Sequence, residues 1–516
     1  MTAATDSLFS KQTAILGGGS AIALVAGLLA LKYNDRPLFA EERNDMTLFR
    51  GHPLIGSLLY MIRNKARLVD YISDEFESND VTTLMLQIAG RPPRVLTIDP
   101  DSVEHMMKVN FSNYPKSLLL KHSFEDLLGD GIFASNGQTW KYQRKTASHV
   151  FNVANFRHLF TDVFLNKLDV VTRQIFDRSA DTKEPVDFHD IILRFTLDSF
   201  VLLGFGVELH ALTNKEGVPF ATSFDICQQN CFDRLHSPTT RIWEALQPIL
   251  SPRQVSIGQH YKTIKNFSLK IIRERRKLVE EGGKEFNDML YRFMVTPDPN
   301  GKILEDRELA HTILNFIIAG RDTTAQALSW TFYNLMLYPR VEAKLLAEIE
   351  AHWPNEKTMD SSALYEIVKS LTYAHAVLFE TLRLYPSVPI ASKHALEDDV
   401  WPDGTCVKKG DTVGWCPYAQ GRSKRVWGND ARMFKPERWI DNDGNLVRES
   451  QGKWPAFNGG PRVCLGQNLA ILEAIVAIAT LLQRYKFSLV PGQEITYTAS
   501  LTLPMKNGMR VWATRR

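Results

Sequence analysis

Residues 457–466 read FNGGPRVCLG, a cysteine set among glycines, a proline and an arginine. Gly459, Gly460 and Pro461 permit a tight bend with close backbone approach. Arg462, two residues before the cysteine, supplies a fixed cation rich in donors. Gly466 stands at the head of a helical pattern. That places Cys464 beside a helix N-terminus, whose N–H groups and dipole favour a thiolate, the form that binds metals. By itself the loop admits two readings: a liganding or reactive sulfur, or a buried packing thiol, since free cysteine is among the most buried residue types.

The bulk of the chain limits the alternatives. Its 516 residues are 44% hydrophobic and 23% charged, enough apolar material for a large core. With 61 basic against 58 acidic residues, no strong global charge points to nucleic acid. The five cysteines, Cys227, Cys231, Cys406, Cys416 and Cys464, are too scattered for a disulfide framework and contain no C-x-x-C zinc pair. Cys227 and Cys231, four apart, read as packing on one helix face. A reducing, cytosol-facing environment fits this usage.

Residues 13–31, TAILGGGSAIALVAGLLAL, carry no charge and match the length a helix needs to cross a bilayer core. They predict an N-terminal membrane anchor within a segment 1–36. A cleaved signal peptide is the competing reading, but Leu28 and Ala30 do not form an A-x-A site. The flanking Lys11, Lys32 and Arg36 barely bias orientation, with a cytosolic main domain preferred. No linker or repeat divides the rest, so 37–516 reads as one catalytic domain.

Within it, VTTLMLQIAGRPPRVLTID (81–99) predicts a hairpin broken at Gly90, Pro92 and Pro93. Helix dominates from Asp101 to about 290. The longest periodic stretch starts near Asp306 as N-cap and runs to Pro339, about 50 Å of helix. Its middle, Gly320 to Thr324, breaks helical rules inside an apolar rod, which marks a functional position. After 385 short strands and turns take over. Helix returns from Leu465 to about Tyr485, and a second hairpin is expected around Asn507-Gly508. The pattern predicts a mainly α fold with small β-sheets attached, an α+β arrangement.

Four motifs, in order, carry a family resemblance. FNGGPRVCLG is similar at every fixed position to the F-x-x-G-x-R-x-C-x-G haem signature of the cytochrome P450 superfamily. Glu380-Thr381-Leu382-Arg383 resembles its E-x-x-R motif. Pro436-Glu437-Arg438-Trp439 resembles its P-E-R-F motif with Trp in place of Phe, and Ala319-Gly320-Arg321-Asp322-Thr323-Thr324 its oxygen-activation motif A-G-x-D-T-T. The resemblance implies the cytochrome P450 fold and a haem b held by Cys464 as axial iron ligand, its negative sulfur favouring O–O cleavage, as is general for this family. Phe457 would pack on the ring and Gly466 would belong to the binding loop. Asp322 and Thr323 would relay protons toward dioxygen on the far side, and Gly320 would make room for it. Glu380, Arg383 and Arg438 would form a buried structural triad behind the loop. Trp140, Arg144, Arg462 and Lys393 would receive the haem propionates, with His394 as the alternative to Lys393. Ala319 replaces the Glu that attaches haem covalently in some animal relatives, so non-covalent haem is expected.

In texture NFIIAGRDTTAQALSW, WGNDARMFKPERWI and SLTLPMKNGMRV resemble plant and fungal fatty-acid ω-hydroxylases. That implies hydroxylation of a long apolar chain at or near its terminal carbon, at the endoplasmic reticulum membrane. Pocket positions are expected among 117–135, Ser387 to Ile390 and Leu501 to Leu503. NADPH electrons would come through a separate cytochrome reductase, or a cytochrome b-type donor, docking on Lys141, Arg144 and Lys145. The rival functions are a haem-thiolate isomerase or dehydratase of lipid hydroperoxides, an alkane monooxygenase, and a non-catalytic haem or lipid binder.

Overall fold

The computed structural model describes residues 24–43, 45–151, 159–214, 218–237, 239–281, 286, 288–353 and 361–516. The expected span 13–31 lies mostly outside them. A helix covers 24–32, and among the described residues none is long and apolar enough to cross a membrane. The fold is mainly helical with small sheets.

Among the described residues nine short strands make three sheets: β1 Thr83–Leu86, β2 Arg94–Thr97, β3 Val186–Asp187, β4 Ala391–His394, β5 Asp399–Val400, β6 Cys406–Val407, β7 Thr412–Trp415, β8 Tyr485–Leu489 and β9 Arg510–Arg515. The largest sheet has the order β1-β2-β7-β4. The expected first hairpin is present as β1 and β2, antiparallel with Thr83 opposite Thr97. The C-terminal hairpin forms differently. β9 pairs with β8 and β3, while Tyr497 bridges Met505 across a turn that precedes Asn507. Gly508, at φ +69°, lies against the Asp187 carboxylate, which accepts from Met509 N at 2.9 Å. The Asn-Gly corner is thus a dock onto β3, not a hairpin tip.

The central helix is Asp306–Ile317 and Thr323–Leu337 joined through a π-helical turn, Ile318–Asp322. Its N-cap is Glu305, one residue before the expected Asp306, in a capping box with Glu308. The π turn falls on the expected rule-breaking stretch, and such bulges concentrate at functional sites. Thr323 Oγ donates back to Ala319 O at 2.6 Å, and Ser329 and Thr331 also bond four residues back. Most of the helix is buried in the main apolar core. Leu503 belongs to that core: its carbonyl accepts from Trp330 Nε1 and its N–H donates to Gln326.

Cys227 and Cys231 are fully buried on the helix Pro219–His236, with Cys231 Sγ 3.2 Å from Tyr261 OH. Burial pushes the Cys231 thiol up to about 12. They act as packing residues, as their spacing suggested.

Candidate active site

The loop between Trp454 and the helix Gln467–Arg484 carries Cys464. Two residues take the bend at positive φ, Gly460 (+56°) and Asn458 (+61°). At Gly460 a Cβ would come 2.1 Å from Met107 O, so only glycine fits. Asn458 had not been anticipated; its Oδ1 accepts from Gly459 N at 2.8 Å, the local bond that lets Asn adopt this conformation. Cys464 N donates to Phe457 O at 2.8 Å, which closes the loop. Gly466 is the N-cap of the following helix, which begins at Gln467 rather than Leu465.

The sulfur opens onto a cavity of about 270 Å³. Burial raises its pKa, against the lowering pulls of the Gly466 N–H and Arg144.

Ala319, Gly320, Thr323 and Thr324 of the central helix also line the cavity. Apolar side chains complete the lining, among them Phe200, Phe316, Leu378, Leu382, Val388 and Trp415. Gly320 has a more specific reason than spare room. A Cβ there would come 1.9 Å from the Phe200 ring, so the glycine admits that aromatic wall. Ile132, Phe133 and Ser387 meet the pocket expectation. Leu501 to Leu503 are not in the lining, because the last turn packs Leu503 on the central helix instead.

Asp322 does not face this cavity. Its carboxylate accepts from Gln228 Nε2 at 2.8 Å and Arg321 Nη1 at 3.0 Å, and Arg321 also holds Asp225 at 2.6 Å. Burial raises Asp322 to about 6 against the pull of Arg321. The π turn separates the pair: Thr323 lines the cavity and Asp322 joins a buried ion-pair network.

Of the basic residues named from the sequence, Arg144 and Arg462 line the cavity and Lys393 does not. Trp140 lines the cavity with Arg462 at 4.4 Å and Arg144 at 6.0 Å from its ring centroid. Arg462 Nη2 donates to Ser135 O at 2.8 Å, and its buried Nε has no partner. Lys393 is 1% exposed on β4 over the Phe111 ring, one layer behind the lining. Lys116, which sequence reasoning missed, lines the cavity instead, brought there by the turn before the helix Leu118–Leu128. Burial and Arg462 lower Lys116 to about 8, and burial lowers Arg462 to about 10. Among the described residues none of these four cations gains a compensating carboxylate. A partly buried group of cations with no carboxylate partner fits a ligand bearing carboxylates. Arg144 belongs to this inner cluster, so only Lys141 and Lys145 remain exposed on the outer face of its helix. His394 gives its backbone N–H to Pro115 O and does not line the cavity.

Glu473 is a second residue missed. It is the one carboxyl lining the cavity among the described residues, with an unpartnered buried Oε1. Burial raises its pKa well above the ordinary range.

Behind the loop, Arg383 forms a bidentate pair with Glu380 at 2.7 and 2.8 Å, both side chains fully buried. Its remaining donors reach Ala431 O at 2.6 Å, Met433 O at 3.0 Å and Gly421 O. Trp439 explains the departure from P-E-R-F: its indole N–H donates to Glu380 Oε2 at 3.0 Å. Arg438 is the outer member, 3.7 Å from Glu380 and 2.9 Å from Asp430.

A cysteine sulfur under an apolar cavity, flanked by basic side chains and faced by a π-bulged helix, fits the site of a haem-thiolate protein. The family model for Cytochrome P450 matches residues 46–509. The chain is 37% identical to cytochrome P450 86B1 of Arabidopsis thaliana over 81% of its length and 76% of that protein's. It is 34% identical to cytochrome P450 94A1 of Vicia sativa, covering 92% and 91%. Cytochrome P450 monooxygenase cyp1 of Mycosarcoma maydis is also 34% identical, over 95% and 78%. The chain belongs to the cytochrome P450 family and is a monooxygenase of that family.

Proposed function

We propose that the protein hydroxylates a long apolar chain, a fatty acid, at or near its terminal carbon. The observation that carries this reading is the cavity itself: an aromatic and aliphatic lining shared with Cys464, with Thr323 among its few hydroxyls. A hydrocarbon end would be desolvated against these apolar walls. Residues 37–516 form the catalytic unit.

Cys464 would hold haem b through the iron, which supplies oxygen activation when bound. Lys116, Arg144, Arg462 and, from behind, Lys393 would neutralise its propionates, with Trp140 and Phe457 against the ring. Ala319 offers no carboxyl for covalent attachment. Thr323 would hold a proton donor at the cavity wall. Asp322 would serve it only from outside the cavity, through the Arg321 network, while the Glu380–Arg383–Arg438 triad fixes the loop.

Electrons would come from NADPH through a separate reductase, docking on the face that exposes Lys141 and Lys145. Endoplasmic reticulum attachment through the N-terminal segment is supported by a second apolar face: the helix Thr240–Leu250 exposes Ile242, Trp243, Ile249 and Leu250.

The test is product analysis with reductase, NADPH and a panel of fatty acids and alkanes. Hydroxylation of fatty acids at the last few carbons is expected. Oxidation of alkanes alone would reject the fatty-acid reading, and conversion of lipid hydroperoxides without NADPH would favour the isomerase.

A further inference from the structure

The turn that follows the helix Leu118–Leu128 supplies part of the cavity wall. Ile132 and Phe133 line the cavity, Phe133 exposed between buried Gly131 and Ala134. One side chain clasps this turn to the central helix. Asn315 is fully buried and lies outside the lining. Its Nδ2 donates to Leu128 O at 2.9 Å and to His311 O at 2.7 Å, and its Oδ1 accepts from Phe133 N at 3.3 Å. A single amide therefore spans the turn from the last residue of the preceding helix to the backbone of Phe133. Two glycines let the chain come this close. A Cβ at Gly131 would sit 2.0 Å from Asn315 Nδ2, and one at Gly129, at φ +51°, would sit 2.0 Å from Nδ1 of His311, one helical turn before Asn315. Other side chains hold the flanks: Gln143 Nε2 donates to Asp130 O at 2.8 Å, and Arg462 Nη2 to Ser135 O at 2.8 Å.

We propose that Asn315 is a positioning residue: through the turn it fixes the Phe133 ring in the cavity wall, and so sets which carbon of an apolar substrate chain reaches the site shared with Cys464. This rests on the chain-hydroxylation reading above. A wall whose backbone is held at both ends, in a closely packed interior, does not retreat before a bent chain. The chain then presents its narrow terminal end rather than a folded internal methylene. Leucine in place of Asn315 has nearly the same volume but leaves Leu128 O and Phe133 N buried without partners, a cost the turn relieves by moving off the helix. The role belongs to the amide and not to the cavity surface, because Asn315 acts only through the turn.

The test uses the holoenzyme with reductase and NADPH, offered dodecanoate and dodecane separately, in wild type, Asn315→Leu and Gly131→Ala. The second variant breaks the same contact from the turn's side and leaves Asn315 in place. Amide exchange of residues 128–136 without substrate should be about tenfold faster or more in both variants. Both should spread hydroxylation inward from the terminal carbon while total turnover stays within about twofold of wild type. Phe133→Ala should spread the products in the same way, and adding Asn315→Leu to it should change their ratio no further. Unchanged product positions in both variants, a loss of turnover at one unchanged position, or a further additive shift in the double variant would overturn the assignment. If wild type hydroxylates dodecane and not dodecanoate, the fatty-acid reading falls and the dodecane products decide the role of Asn315; if it hydroxylates neither, both fall.

Discussion

Cys464→Ser is expected to abolish NADPH-dependent hydroxylation while leaving the fold in place. The exchange replaces one atom, and the loop is held by contacts that do not involve the sulfur: Cys464 N to Phe457 O, Gly460 N to Gln451 Oε1 at 3.0 Å, and the close approach of Gly460 to Met107. What is lost is the soft, electron-donating ligand that distinguishes a haem-thiolate from other haem sites. The reduced carbon-monoxide complex of the wild type should show the red-shifted Soret band of thiolate ligation, and the variant should not, with matching far-UV circular dichroism. Survival of the band or of turnover in the variant would reject Cys464 as the ligand.

Glu380→Gln should cause the largest loss of stability of any single change behind the loop. Glu380 and Arg383 are both fully buried, and the isosteric amide leaves the Arg383 charge without a counterion. Removing one partner of a buried pair costs about 3–5 kcal/mol, a large share of the roughly 5–15 kcal/mol that holds a typical protein folded. Arg438, 13% exposed and paired mainly with Asp430, should cost much less when changed to Ala. Denaturant unfolding of both variants measures the difference; equal losses would show that the pair is not the anchor the geometry indicates. Trp439→Phe restores the more usual family residue and should cost about 1 kcal/mol, one indole hydrogen bond to Glu380.

Features written in short contiguous stretches were legible in the sequence. The FNGGPRVCLG loop, the i,i+3 pairing of Glu380 with Arg383 and the disturbed middle of the central helix each need only local rules. Features that depend on which element meets which were not. Lys116 and Glu473 enter the cavity from segments that carry no motif. Asp322 sits beside Thr323 in every motif, yet the π turn and the Arg321 and Gln228 donors send its carboxylate elsewhere. Trp439 was visible as a departure but had no meaning until its N–H was seen on Glu380. The Asn507-Gly508 corner carried a strong local hairpin signal, and tertiary docking on Asp187 overrode it.

Incubation with a fatty acid, reductase, NADPH and ¹⁸O₂, followed by mass spectrometry of the product, tests the central claim most directly. One labelled oxygen atom in a hydroxyl at or near the terminal carbon is the predicted result. Oxygen derived from water, or product formed without NADPH and dioxygen, would contradict it.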